Sequence, residues 1–213
     1  MACVMDLMNR DFGEFIVACH RAEAFGLQKF SSGNMSWRLD DEYLAVSASR
    51  SWLGDLEEKD IAICRISDGE CVNGKVPSVE TGFHQGIMKN RPEVNTVLHF
   101  QSPAATTFAC GDAKSVNFNV IPEVPFYVGR VGYVDYIMPS TPELAVAVNK
   151  VMIDHDLAIL QNHGLVAVGD TFDHLLQRCG FFELACDILL RGGDMVKALS
   201  PKEVDTLLSI KYC

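Results

Sequence analysis

The chain has 213 residues, of which 48% are apolar and 22% are charged, and its formal net charge is −10. This length can bury the core of one α/β domain spanning residues 1–213, and it is short for two domains. An acidic chain without a basic cluster argues against a nucleic-acid partner. No apolar run approaches the ~18 residues that are typical of a membrane span, so we expect no membrane partner.

Cysteine usage and the first residues bear on the cellular compartment. None of the eight cysteines forms a Cys-x-x-Cys pair, and several lie inside apolar periodic runs, which favours free thiols in a reducing cytosol. Charged residues such as Asp6 and Arg10 occupy the stretch where a signal peptide needs an apolar core. We therefore predict a cytoplasmic protein.

Hydrophobic periodicity predicts alternating helices and strands through the first half of the chain. In chain order they are a helix over 5–25, a hairpin turning at 40–42 with its second strand at 43–46, a strand over 61–66, a helix over 77–89 and a strand over 95–100. Ser78 is a plausible N-cap of the helix that opens at Pro77. Pro92 ends that helix, because a proline disfavours helical geometry in the residue before it.

The second half continues the same alternation. A helix opens at Ser102-Pro103 and runs to about residue 110, and the stretch 116–138 is strand-like but interrupted by prolines and glycines. Helices are then predicted over 141–154, 171–190 and 200–210, with strands over 157–160 and 165–168 on either side of a turn at 162–164. We find no internal repeat and no linker, which supports a single domain.

Two clusters rich in hydroxyl groups flank the predicted hairpin, at 31–36 and 47–51. Either cluster alone is typical of an ordinary loop. Because the two clusters border the same hairpin, their hydrogen-bond donors could converge on one anion.

Two histidines follow apolar strands and lie where a helix or a tight turn begins. His99 ends the strand over 95–100, and His163 lies in the turn at 162–164. Ligands often bind at such positions in α/β sheets. Together with Glu80, which on its own is an ordinary residue for the first turn of a helix, they could form a catalytic metal site with open coordination positions. The remaining histidines, on predicted helices, are assigned structural roles: His20, His84, His155 and His174.

Four motifs occur in a characteristic order along the chain. They are Ser32-Gly33-Asn34-Met35-Ser36, Pro77-Ser78-Val79-Glu80, Val97-Leu98-His99 and Asn162-His163-Gly164-Leu165. In this order and spacing the chain resembles the class II aldolase/adducin family over almost its whole length. The resemblance implies a three-layer α/β/α domain with a central, mainly antiparallel sheet. It also implies a homotetramer with active sites at subunit interfaces.

The resemblance further implies roles for individual residues. His99, Gln101 and His163 would match the metal-ligand positions, with Zn²⁺ or another divalent ion such as Mn²⁺ or Co²⁺ as the cofactor. Glu80 would be the catalytic acid/base, with a pKa that the closed site would raise, and also a ligand in the empty enzyme. The positions that hold the substrate phosphate would be Asn34, Ser49 and Ser78, and Tyr212 would be a catalytic tyrosine that closes over the substrate.

The chain departs from the family pattern at several of these positions. Gln101 stands where the family has a histidine, and an amide oxygen is a weaker ligand for zinc. Three alternatives follow. Gln101 could bind the metal weakly, Glu80 could stay coordinated in place of Gln101, or the metal could be lost. We favour a retained metal. Val79 removes a hydroxyl group from the phosphate loop, and the guanidinium of Arg50 could restore anion affinity. A catalytic tyrosine is also expected within 121–136, where Tyr127 and Tyr133 are alternatives.

The function implied by the resemblance is that of a lyase of carbohydrate metabolism acting on a small sugar phosphate. A metal-dependent aldolase would cleave a ketose 1-phosphate, such as L-fuculose 1-phosphate, to dihydroxyacetone phosphate and an aldehyde through a metal-stabilised enediolate. An epimerase or a dehydratase on the same site is an alternative, and so is a non-catalytic, adducin-like interaction module.

Overall fold

The structure is a computed structural model, and it describes residues 7–210. Within that range no helix is both long enough and apolar enough to cross a membrane. The six cysteines that lie in the described range are all free thiols.

A seven-stranded sheet forms the centre of the molecule, in the order β3-β2-β1-β4-β7-β6-β5. All neighbouring strands are antiparallel except β5 and β6, which are parallel. The strands are β1 (Asn34–Arg38), β2 (Tyr43–Ser47), β3 (Ile61–Arg65), β4 (Thr96–Phe100), β5 (Val131–Val134), β6 (Leu157–Leu160) and β7 (Gly164–Gly169).

Helices cover both faces of the sheet. They are α1 (Gly13–Ala24), α2 (Thr81–Asn90), α3 (Pro103–Ala109), α4 (Pro142–Val151), α5 (Phe172–Gly192) and α6 (Pro201–Ser209). Two separate clusters of buried apolar side chains lie on the two faces: α1, α3 and α5 contribute to one, and α2 and α4 to the other. This arrangement confirms the predicted three-layer α/β/α fold with a mainly antiparallel sheet.

Strand β4 lies in the middle of the sheet and is buried along its whole length. Successive side chains of a strand point to opposite faces. Leu98 and Phe100 therefore pack into the cluster beneath α1, α3 and α5, whereas Val97 packs into the cluster on the α2 side. His99 has the same parity as Val97 and so faces α2.

Local patterns also predicted some element boundaries wrongly. The first predicted helix, over 5–25, is interrupted at residues 9–12, and α1 begins only at Gly13, whose amide donates to the side chain of Asp11. Helix α2 begins at Thr81 rather than at Pro77, and its N-cap is Glu80, so the prediction of Ser78 as N-cap was wrong. The reason is that Pro77 forms a β-bridge with Ala48, which keeps the segment before α2 extended.

The strand-like stretch over 116–138 is mostly not a strand. Only β5 forms there, and it follows a π-helical turn over Val124–Val128. Three predicted helix starts were correct, those at Ser102, Thr141 and Ser200. Thr141 and Ser200 accept hydrogen bonds from the first turns of their helices, as capping residues do.

Candidate metal centre

Glu80, His99 and His163 converge on one point. The ligand atoms that they offer all lie within 4.8 Å of one another. Nε2 of His99 is 3.5 Å from Oε2 of Glu80, and Nε2 of His163 is 3.3 Å from Oε1. Each carboxylate oxygen of Glu80 therefore faces a different imidazole.

Three neighbouring elements bring these side chains together. His99 lies near the end of β4, and the antiparallel β7 begins directly after His163. Between β6 and β7 the chain reverses through Asn162, which has a left-handed backbone with φ of 53°. Glu80 caps α2, and Phe83 of that helix packs edge-on against the ring of His99, with centroids 5.9 Å apart.

His99 is held in the form that binds metals. Its Nδ1 donates a hydrogen bond to the carbonyl oxygen of Leu165 at 2.9 Å, which leaves the lone pair of Nε2 directed toward Glu80. Such a bond to the other ring nitrogen orients metal-binding histidines. Burial lowers the pKa of His99 below its ordinary value, although Glu80 and the hydrogen bond to Leu165 oppose this shift, and so favours the neutral imidazole.

Glu80 is a buried carboxylate that remains charged. Burial by itself would raise its pKa, but any positive charge on His99 or His163 and the hydrogen bond from Asn34 outweigh that effect, so the pKa lies below its ordinary value. The raised pKa was expected for the closed site, and it stays a prediction. Glu80 is an anion at neutral pH, which suits it to hold a cation.

These residues fit a divalent cation. Oε1 of Glu80 and Nδ1 of His163 are buried, and neither has a well-aligned hydrogen-bond partner within residues 7–210. A buried carboxylate oxygen that faces an imidazole without a well-aligned hydrogen bond costs free energy unless a cation or a donor binds it. Two neutral imidazoles and one carboxylate are a donor set that zinc and related divalent ions accept.

Gln101 lies beside this centre, and its amide is already engaged. Nε2 of Gln101 donates to the carbonyl oxygen of His163 at 2.9 Å and so stabilises the turn that carries this histidine. The same residue also packs close to Gly164. Its assignment as a metal ligand stays a prediction.

The residues predicted to bind phosphate lie in adjoining segments. The amide of Ser49 donates to the carbonyl of Val76, and the amide of Ser78 donates to the carbonyl of Ser47, so the segments around Ser49 and Ser78 run side by side. Arg50 is exposed and has a left-handed backbone with φ of 67°. This grouping is compatible with a common anion site, and phosphate binding by these residues stays a prediction.

Asn34 is placed differently from Ser49 and Ser78. It lies at the start of β1, paired with His99, and its Nδ2 donates to Oε2 of Glu80 at 3.0 Å. The structure thus connects Asn34 directly to the carboxylate of the centre. A phosphate role for Asn34 stays a prediction beside this observed contact.

None of the tyrosines considered above is observed at the centre. Tyr212 lies outside the described residues. Tyr127 stacks on Phe181 of α5, with ring centroids 4.9 Å apart, and Tyr133 packs against the core on the α5 side of the sheet. That side is opposite to the face that carries His99.

Sequence reasoning missed one residue close to the centre. His84, assigned a structural role, is fully buried and donates to Oδ1 of Asn34 at 2.5 Å. Glu80 and His84 are four residues apart, and residues with this spacing share a helix face. That spacing was the available signal.

The fold and the centre together define an α/β protein with a buried carboxylate–bis-imidazole site. Residues 13–190 match the family model of the Class II Aldolase and Adducin N-terminal domain. The chain therefore belongs to the class II aldolase and adducin family, as its motifs predicted.

Curated relatives include two kinds of enzyme. The chain is 35% identical over 161 residues to the L-fuculose phosphate aldolase of Methanococcus vannielii, covering 76% of this chain and 85% of that protein. It is 32% identical over 141 residues to the 3-oxo-tetronate 4-phosphate decarboxylase of Haemophilus influenzae, covering 65% of this chain and 67% of that protein.

Solved structures share the fold. YgbL of Klebsiella pneumoniae superposes with a TM-score of 0.84 at 22% identity, covering 97% of this chain and 100% of that chain. An L-fuculose 1-phosphate aldolase superposes with a TM-score of 0.78 at 22% identity, covering 98% and 97% respectively.

Proposed function

We propose that the chain is a class II, metal-dependent aldehyde-lyase that cleaves a carbon–carbon bond of a small ketose 1-phosphate. The products of the aldol cleavage are dihydroxyacetone phosphate and an aldehyde, as for L-fuculose 1-phosphate. The observation that carries the proposal is the buried convergence of Glu80, His99 and His163. The 35% identity to an L-fuculose phosphate aldolase supports the substrate class.

The proposed roles follow from the geometry. His99, His163 and Glu80 would hold a divalent ion such as Zn²⁺, with Gln101 as a further ligand of weaker affinity. A bound divalent ion would polarise the substrate carbonyl and stabilise negative charge developing on its oxygen. Glu80, which the closed site would give a raised pKa, would accept and return a proton beside that carbonyl.

Substrate positioning is proposed for the adjoining loops. Ser49 and Ser78, with Arg50 at the rim and Asn34 at the centre, would anchor the phosphate and so hold the reacting carbons beside Glu80. Fixing the phosphate at a distance from the scissile bond reduces the entropy cost of reaching the transition state. Tyr212 is proposed as the residue that closes over the bound substrate.

Decarboxylation of a 3-oxo acid phosphate is a second candidate. The chain is also 32% identical to a 3-oxo-tetronate 4-phosphate decarboxylase, and the description of YgbL leaves aldolase, epimerase and decarboxylase open. In both cleavages the electron pair of the broken bond moves toward a carbonyl group on the neighbouring carbon. The same centre could therefore serve either leaving group, an aldehyde or carbon dioxide.

Product analysis on a substrate panel tests the proposal. The metal-loaded protein is offered L-fuculose, L-rhamnulose and L-ribulose phosphates and 3-oxo-tetronate 4-phosphate, with and without a chelator. We expect chelator-sensitive release of dihydroxyacetone phosphate and an aldehyde from a ketose 1-phosphate, and no release by the His163→Ala variant. Carbon dioxide in place of the aldehyde would establish the decarboxylase, and an isomeric or dehydrated sugar would establish an epimerase or a dehydratase. A metal-loaded protein without turnover on any substrate would contradict the lyase and favour an adducin-like interaction module.

We also propose that the protein assembles as a homotetramer in the cytoplasm. Exposed aromatic side chains support a subunit interface: Phe30 is 77% exposed, and its ring centroid lies 6.4 Å from that of the half-exposed Trp52. Light scattering during size-exclusion chromatography measures the assembly. A monomer at micromolar concentration would contradict the proposed tetramer.

A further inference from the structure

A continuous line of hydrogen bonds leads from the sheet into the candidate centre. Oγ of Ser36 lies 2.7 Å from Nδ1 of His84, and Nε2 of His84 lies 2.5 Å from Oδ1 of Asn34. Nδ2 of Asn34 then donates to Oε2 of Glu80 at 3.0 Å. Three side chains thus connect the carboxylate of the centre to the interior of the protein.

The carboxylate of Glu80 determines which atom donates and which accepts in each of these hydrogen bonds. A carboxylate accepts hydrogen bonds, so the group of Asn34 that faces Glu80 is the amide nitrogen. The oxygen of Asn34 then faces His84, which must donate to it through Nε2–H. In a neutral imidazole Nδ1 is consequently an acceptor, and it accepts from the hydroxyl group of Ser36.

The line is shielded from solvent along its length. His84 and Ser36 are fully buried, and Asn34 is 6% exposed. The ring of Phe83 stacks on that of His84, with centroids 4.8 Å apart. Burial also lowers the pKa of His84 to about 3, in keeping with a neutral ring. His84 cannot touch a substrate, and its polar atoms serve the line alone.

The line determines how Glu80 is oriented. Oε2 of Glu80 receives the amide of Asn34, while the same oxygen faces His99 and the other oxygen faces His163. A rotation of the carboxylate about its terminal bond would break the bond to Asn34. Asn34 is in turn fixed, because a flipped amide would place its nitrogen against the Nε2–H of His84.

We propose that His84 is a positioning residue for Glu80, acting through Asn34 in the single tautomer that carries its proton on Nε2. Glu80 and Asn34 determine this tautomer, and the hydroxyl group of Ser36 stabilises it by donating to Nδ1. The consequence for activity rests on the proposed function. The consequence for metal affinity and for the tautomer of His84 does not, so the two can fail separately.

Three variants distinguish the effect of the hydrogen-bond donor of His84 from the effect of its side-chain volume. H84F keeps a buried ring and removes both polar nitrogens. H84Q places an amide nitrogen near the position of Nε2 and so restores a donor to Asn34. S36A leaves the histidine in place and removes the donor to Nδ1. H20Q is the matched control, because His20 is exposed and only its Nε2 contacts the carbonyl of Leu56.

Metal affinity and kinetics are the first measurements. Titration calorimetry of the metal-free proteins with Zn²⁺ should show a loss of roughly 10–100-fold for H84F, the range found when partners of ligand residues are removed. On an established substrate kcat should fall by a similar factor with little change in KM. H84Q should recover most of both losses, and H20Q should match the wild type.

Nitrogen NMR of protein labelled at histidine is the second measurement. The wild type should show one neutral His84 ring with its proton on Nε2. S36A should keep that tautomer, because the bond from Nε2–H to Asn34 remains. Wild-type affinity in folded H84F, or no recovery in folded H84Q, would overturn the proposal. If H84F does not fold, a wild-type His84 ring with its proton on Nδ1, or a tautomer that changes in S36A, would overturn it. A wild type that binds Zn²⁺ but turns over no substrate would count against the proposed function only.

Discussion

Glu80 is the residue on which the candidate centre depends, because it contacts both imidazoles and the amide of Asn34. Its identity and those of His99 and His163 could be predicted from the sequence, since each lies beside an apolar element in a recognisable motif. The contact of His84 with Asn34 could not, because a histidine on a predicted helix with polar neighbours is typical of a structural residue. Only the tertiary pairing of α2 with β1 brings His84 to Asn34.

Substitution of Glu80 by glutamine should leave the fold intact and remove most of the activity. The amide has nearly the same shape but can neither accept a proton nor supply negative charge to a cation, and general acid–base groups contribute about 10²–10⁴-fold to rate. Steady-state kinetics on the established substrate and circular dichroism measure the two effects. Retention of activity within a few-fold would show that Glu80 is only the N-cap of α2.

The pKa of His84 predicts a pH-dependent stability. Its pKa is lowered from 6.5 to about 3 by burial, so the unfolded chain binds a proton below pH 6.5 that the folded chain does not. This group therefore costs no stability above pH 6.5, and it lowers the free energy of unfolding as the pH falls from 6.5 toward 3, with a slope of about 1.4 kcal/mol per pH unit.

Urea denaturation of the metal-free protein between pH 7.5 and 4.5 measures this slope. The variant H84Q has no group that titrates at this position. The slope of its free energy of unfolding against pH should therefore be smaller by about 1.4 kcal/mol per pH unit, the value for one proton. H20Q serves as the control with an exposed histidine removed. Equal slopes for H84Q and the wild type would contradict the assignment of a buried, neutral His84.

At the scale of the elements, periodicity predicted strands well and some helix starts poorly. β2, β4, β6 and β7 lie within a residue or two of their predicted positions, because alternation and apolar runs are local properties. The start of α2 was predicted too early, since the bridge between Ala48 and Pro77 involves residues far apart in sequence. The π-helical turn over Val124–Val128 likewise could not be predicted from patterns that indicate strands.

Gly33, directly before β1, should be intolerant of a side chain. Its backbone has φ of 77°, and a Cβ atom there would lie 2.5 Å from the carbonyl oxygen of His99. Gly33→Ala should therefore destabilise the protein by more than the 1–3 kcal/mol typical of backbone strain alone and should weaken metal binding. Gly74 is the matched control, since its φ is 72° and nothing lies within 4 Å of the corresponding Cβ.

Chemical denaturation of both glycine variants tests this prediction. Gly74→Ala should show the cost of strain only, and its affinity for Zn²⁺ should equal that of the wild type. An equal loss of stability in the two variants would mean that the contact with His99 adds nothing to the strain.

At the scale of the whole molecule, two apolar cores share one sheet. Because β4 contributes Leu98 to one core and Val97 to the other, loss of either core would expose the same strand. We therefore propose that residues 1–213 form one domain and expect a single unfolding transition. Coincident calorimetric and fluorescence transitions at matched protein concentration would support it, and two separated transitions would contradict it.

The central claim is that Glu80, His99 and His163 form a divalent metal centre, and metal content tests it most directly. Elemental analysis is performed on the wild type and on His99→Ala after reconstitution with Zn²⁺ and removal of loosely bound ions, with H20Q as the control. We predict one ion per chain in the wild type and in H20Q, and loss of that ion in His99→Ala. A folded wild type that retains no ion, or a His99→Ala variant that retains as much as the wild type, would contradict the claim.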